Sequence, residues 1–151
     1  MTHRAQQIVD LCASLIGANT SLAAQVYTHR TLSLSLAPDE AELPCVSVSY
    51  GGDSPGNDIQ HLTNISSALD VQVICACAGE NESDVRNELM RLRTQTHIAL
   101  MADTDLGLSF VLQAMYGGAE PPRFDSSTKS ILGTLVTHWT VAYEMSISTP
   151  E

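Results

Sequence analysis

The chain has 151 residues, 44% of them hydrophobic, enough to bury one core and too few to build two, so residues 1–151 are expected to form a single domain. Seventeen acidic residues against seven basic ones give a formal charge of −10, which excludes a general electrostatic footprint for nucleic acid or anionic lipid. No stretch approaches the roughly 18 consecutive apolar residues of a membrane span, and Gln6, Gln7 and Asp10 interrupt the start where a secretion signal would be apolar. The expectation is a soluble protein made in the cytoplasm, with no membrane partner.

The first element reads as a helix, because Ile8, Leu11, Cys12, Leu15 and Ile16 recur along one apolar face, with Gly17 as its C-terminal stop. "QVYTHRTLSLSLA" then reads as an extended segment ending at Pro38, followed by a solvated acidic turn. "LPCVSVSY" sets Val46, Val48 and Tyr50 against Cys45, Ser47 and Ser49, the period of a strand buried on one side. Its companion "SALDVQVICACA" places Leu69, Val71, Val73, Cys75 and Cys77 on one face and Asp70 and Gln72 on the other.

The segment 79–103 is the second helix: Asn81 or Ser83 caps it, acids crowd its first turn, and Val85, Leu89, Leu92, Thr96 and Ala99 form its seam. "LGLSFVLQAMYGG" fits either period, and its flanking glycines favour a strand. "AEPPRFDSSTK" is a turn-rich connection into a long closing strand, where Leu135, Trp139, Val141, Tyr143, Met145 and Ile147 alternate with His138, Thr140 and Glu144. The fold class predicted is α+β: a mainly antiparallel sheet with two main helices packed on one face.

Chemistry is not advertised. "YGGDSPGND" looks like a phosphate cradle but has no lysine, and Asp53 and Asp58 would repel phosphate. Cys75 and Cys77 form a C-x-C pair without a second half, and His3, His29, His61, His97 and His138 are isolated, so no metal site and no disulfide are expected. Asp103 and Asp105 resemble a fragment of a calcium loop that lacks its remaining ligands. A hydrolase would have to assemble Cys45 or Ser47 with a remote histidine. A regulatory module that binds a small molecule could line its pocket with Trp139 and Tyr143, although that pair reads first as a core stripe.

The order of segments carries more. "RAQQIVDLCASLI", then "LPCVSVSY" running into an acidic, glycine-bearing stretch, "LDVQVICACAG", "ESDVRNELMRLRTQTHIALMAD", "TDLGLSFVLQAMYGGAEP" and a final "WTVAYEM" together resemble the tail terminator proteins of long-tailed bacteriophages, of which the lambda-type minor tail protein U is one. The resemblance covers nearly the whole chain; the polar "RFDSSTKSILG" before the last strand departs from it. It implies a subunit of a homohexameric ring at the head-proximal end of the tail tube, in the virion. Its partners would be other copies of itself, the tail tube protein and a head-tail connector or neck protein. The resemblance carries no catalytic residue and no cofactor, and DNA would pass through the ring lumen without specific binding, a passage an acidic surface favours. Another neck or connector protein of the same virion region is the neighbouring alternative. On this reading Gly51, Gly52, Asp53, Ser54, Pro55, Gly56, Asn57 and Asp58 form a docking loop outside the core, replaceable by a neutral linker without loss of the fold.

Overall fold

The computed structural model describes residues 3–28, 43–55, 64–102, 106–126 and 130–146. Helices α1 (Arg4–Gly17) and α2 (Glu82–Met101) cover one face of a single six-stranded sheet. Its strands are β1 (Gln25–Thr28), β2 (Cys45–Pro55), β3 (Asn64–Gly79), β4 (Val111–Ala119), β5 (Arg123–Asp125) and β6 (Ile131–Ser146). The order is β1-β2-β3-β6-β4, with β5 also on β6; β1 runs parallel to β2 and every other pair is antiparallel. The α+β class, the antiparallel sheet and the one-sided helical layer are as the hydrophobic periods predict.

At the centre, β3 and β6 pair from Asn64↔Ser146 to Gly79↔Ile131 without a break in register. That pairing sets Val71 opposite Trp139, Leu69 opposite Val141 and Cys75 opposite Leu135, all buried beneath the helices. β4 and β5 share the outer edge of β6, β4 facing Thr137–Tyr143 and β5 facing Leu132–Thr134. Pro121 and Pro122 separate them because neither has an N–H for the ladder, while the Glu120 amide still donates to the Val136 carbonyl at 2.8 Å. The expected turn-rich connection is therefore partly strand.

The helices differ from expectation in detail. α1 buries Ala5, Ile8, Val9, Cys12 and Ile16, so its stripe is turned towards Val9 and leaves Leu11 and Leu15 at the rim. Gly17 does not stop it with a left-handed turn; Ala18 continues right-handed, and Asn19 caps a 3-10 turn, Thr20–Leu22. α2 is capped by Asn81, whose side chain accepts from the Asp84 amide at 2.9 Å, and its seam closes on Leu100 rather than Ala99. Gly133 lets this helix approach the sheet: a Cβ there would collide with Val85 and stand 3.0 Å from Leu89.

β2 departs from half-burial. Val46 and Val48 enter the main core, but Cys45 and Ser47 on the opposite face are also sealed, Cys45 with Ala76 and the flanking Tyr27, Leu43 and Ile74. Tyr50, expected in the core, is 46% exposed. The later part of "QVYTHRTLSLSLA", beyond Thr28, lies outside the described residues.

Leu92→Ala, at a site with 0% exposure, is expected to lower unfolding free energy by about 2–5 kcal/mol in urea titration; a loss below about half a kcal/mol would contradict its burial. Gly133→Ala should lower the melting temperature although alanine suits a strand better than glycine, since the new methyl forces α2 outward. An unchanged or raised midpoint would show that the helix shifts freely.

Candidate interaction surfaces

The segment read as a docking loop begins as strand. β2 continues through Gly51–Pro55, and Asp53, Ser54 and Pro55 stand opposite Leu69, Ala68 and Ser67 of β3. The continuation is possible because the ladder shifts register between Tyr50 and Asp53, with Gly52 at φ +118, a bulge conformation that favours glycine. The turn chemistry of Gly51–Pro55 is thus corrected to a bulged strand end, while Gly56, Asn57 and Asp58 lie outside the described residues. So do Asp103 and Asp105. A glycine inside an alternating strand is the signal that marks such a bulge.

Asp53 anchors this end. Its Oδ2 accepts from the Tyr143 hydroxyl at 3.0 Å and from the Tyr50 hydroxyl at 3.2 Å. Burial and then the bond to Asp53 push the Tyr143 phenol well above its ordinary value, so it stays a neutral donor. Gly51, Asp53 and Ser54 are exposed, and among the described residues the Ser54 hydroxyl donates only to the Ala68 carbonyl, at 3.5 Å. The letters Gly52-Asp53-Ser54-Pro55-Gly56 spell the G-x-S-x-G of a nucleophile elbow. An elbow needs a sharp strand-to-helix turn, and Ser54 instead sits in a paired strand.

On the sheet face away from the helices, a second polar cluster crosses three strands. His138 of β6 places Nδ1 3.2 Å from both oxygens of Asp70 on β3, and Nε2 2.9 Å from Glu120, which follows β4. Both ring nitrogens face carboxylates, so both are donors when the ring carries its proton. Burial works against that charge, but the hydrogen bonds to Glu120 and Asp70 and the attraction of both carboxylates outweigh it and raise the His138 pKa above its ordinary value. Gly51 touches this cluster as well: a Cβ there would lie 2.6 Å from Asp70 Oδ2.

The other singled-out residues are core or core-adjacent. Trp139 is 2% exposed and Tyr143 fully buried, the inward stripe rather than an open platform. Cys45 and Ser47 are both without exposure. Burial pushes the thiols of Cys12, Cys75 and Cys77 up to about 12, so at neutral pH they stay protonated and are poor nucleophiles.

A third surface was not legible in the sequence. Along the flank of α2 over β4 and β5, Arg86 lies over Phe124 at 5.3 Å and Arg93 over Tyr116 at 5.7 Å. The rings of His97, Tyr116 and Trp139 meet at 5.2–5.5 Å between centroids, tilted or edge to face. Leu112, Met115 and Tyr116 of β4 are 49%, 43% and 38% exposed. The residues 86, 90, 93 and 97 share one helical flank, but nothing in their spacing says that an edge strand lies beside it.

No family model and no curated protein matches this sequence. Among solved structures the chain is similar to one in the virion of a native gene transfer agent particle, with 14% identity over 92% of this chain and 90% of that one and a TM-score of 0.45. A likeness of that degree identifies no function.

The His138 cluster makes stability depend on pH in a definite direction. A histidine whose folded pKa is raised stabilises the fold fully below its unfolded value of about 6.5 and loses that contribution as pH rises through the folded value. The melting-temperature advantage of wild type over His138→Gln should therefore be larger at about pH 6 than at about pH 9. An advantage independent of pH would remove the charge from the account.

Proposed function

We propose that this chain is a structural protein of a phage-type virion and, within it, a tail terminator. Its subunits form a homohexameric ring on the head-proximal end of the tail tube, stop tube polymerisation and offer the surface on which the head is joined. The observation that carries this reading is the order of segments along nearly the entire sequence. Helix, paired strands with a glycine-bearing segment between them, long helix, edge segment and closing strand follow one another as in that family, and among the described residues they build one sheet. The partners are further copies of the chain, the tube protein and a connector or neck protein. The role is mechanical, with no reaction and no cofactor, and a net charge of −10 suits a ring through which DNA passes without being held.

The surface offered to a docking ring includes Gly51–Pro55, the protruding end of β2. Replacing the whole of Gly51–Asp58 by a linker is no longer a clean test, because it would remove ladder pairs and the Asp53 anchor of Tyr143. A single substitution at an exposed position separates the two effects. Ser54→Arg should leave the thermal midpoint within a degree or two while weakening capping, read as longer tail tubes in an assembly reaction. Normal tube length with this variant would remove the segment from the docking surface. Failure of the wild-type protein to limit tube length would remove the terminator reading itself.

A further inference from the structure

His138 stands on β6 between β3 and the end of β4, and each of its ring nitrogens has one carboxylate to serve. Nδ1 lies 3.2 Å from both oxygens of Asp70, and Nε2 lies 2.9 Å from Glu120. The two carboxylates are not held alike. Asp70 belongs to the central strand β3: Gln72 Nε2 is 3.5 Å from its Oδ2, and the backbone of Gly51 approaches so closely that a Cβ there would stand 2.6 Å from the same oxygen. Glu120 lies at the edge, after a bulged stretch in which Gly118 has φ +107, and before Pro121 and Pro122, which have no N–H to pair. Its side chain is 44% exposed and meets His138 through one oxygen, and its amide donates to the Val136 carbonyl at 2.8 Å.

We infer that His138 is a proton-operated clamp on the corner between β4 and β5, closed when the ring carries two protons and released from Glu120 when it carries one. The chemistry follows from the donors available. A doubly protonated ring has an N–H for each carboxylate, whereas a neutral ring has one N–H and one lone pair, so one carboxylate faces a lone pair and turns away. Asp70 is confined by Gly51 and Gln72. The remaining N–H therefore stays on Nδ1 with Asp70, and Glu120, longer, more exposed and at the edge, takes water instead. β4 then ends on a ladder whose register has already shifted between Tyr116 and Gly118, and the corner opens more often. The clamp is a property of the fold and does not depend on assembly.

The neighbouring strands supply no competing charge at the ring. Gln72 of β3 and Gly118 of β4, the register partners of His138, are uncharged, as is Thr140 beside it on β6. Along the same face the register sets Arg123 and Asp125 of β5 opposite Thr134 and Leu132, towards the start of β6, and Glu144 lies towards its end. The two bonded carboxylates therefore govern the charge of the ring. Burial disfavours the proton, but the hydrogen bonds to Glu120 and Asp70 and the attraction of both carboxylates outweigh it and raise the pKa. The clamp is accordingly closed at acidic pH and opens as pH rises through the folded value, which lies above the ordinary one of about 6.5.

The test uses the full chain. Long-range proton–nitrogen NMR spectra, which tell the two tautomers of a neutral histidine apart, should locate the folded pKa of His138 and find its proton on Nδ1 above that pH. Hydrogen exchange over residues 117–125, corrected for the intrinsic effect of pH, should show protection falling about two- to fivefold across the same titration, the range an exposed ion pair supports. Glu120→Gln should abolish that fall, because an amide accepts from the protonated ring and donates to the neutral one. The tautomer is read on the wild-type chain, so it decides the matter even if the variant does not fold. A neutral ring protonated on Nε2, protection that does not follow the charge of His138, or the same fall in Glu120→Gln would each overturn the clamp.

Discussion

The antiparallel pairing of β3 with β6 is the constraint on which the remaining structure depends. Side chains alternate along a strand, so one residue of slippage in this ladder would move Val71, Val73, Trp139 and Val141 from the helix side to the open side. The burial of large apolar groups on one face of both strands makes every such slip costly. With that register held, β2 has one available edge on β3, and β4 and β5 have one on β6. α2 then lies across the central pair, close enough that Gly133 cannot carry a side chain without displacing it.

The two faces of the sheet consequently have different physics. The helix side is apolar and packed; Thr137 there donates to the Val73 carbonyl at 3.3 Å, whereas the buried Trp139 indole N–H has no hydrogen-bond partner among the described residues. The opposite face is packed around Cys45 and Ala76 and also carries the His138 cluster, which links β3, β6 and the end of β4 through charge. Such a link responds to pH and salt, whereas the core does not. The polar contacts at the end of β2 work in the same way, since a single carboxylate, Asp53, joins a buried tyrosine to an exposed one and ties a protruding strand end to the core.

This division suits a protein proposed to act by contact. A rigid centre positions margins that differ in character: a bulged strand end with exposed polar groups on one side, and arginines stacked on aromatic rings on another. Both margins are shaped by bulges, which keep strand edges from adding indefinitely while leaving side chains available.

Much of the fold was legible in the sequence because burial writes a period into it. The 3.6-residue stripes of α1 and α2 and the alternation of β3 and β6 follow from each element having one apolar side, and Asn81 announces its cap by its chemistry. Local signals failed where a partner strand outweighed them. Gly51–Pro55 has turn composition yet is strand, because β3 offers a ladder and Gly52 absorbs the mismatch; Arg123–Asp125 is strand because β6 runs long enough to pair with it after Pro121 and Pro122. The second buried face of Cys45 and Ser47 likewise depends on what packs there, not on their own polarity. The candidate surfaces belong wholly to this second kind. His138 meets Asp70 and Glu120, and Arg93 meets Tyr116, across separations in sequence that no local pattern encodes, since only the register of the central ladder and the seat of α2 bring those side chains together.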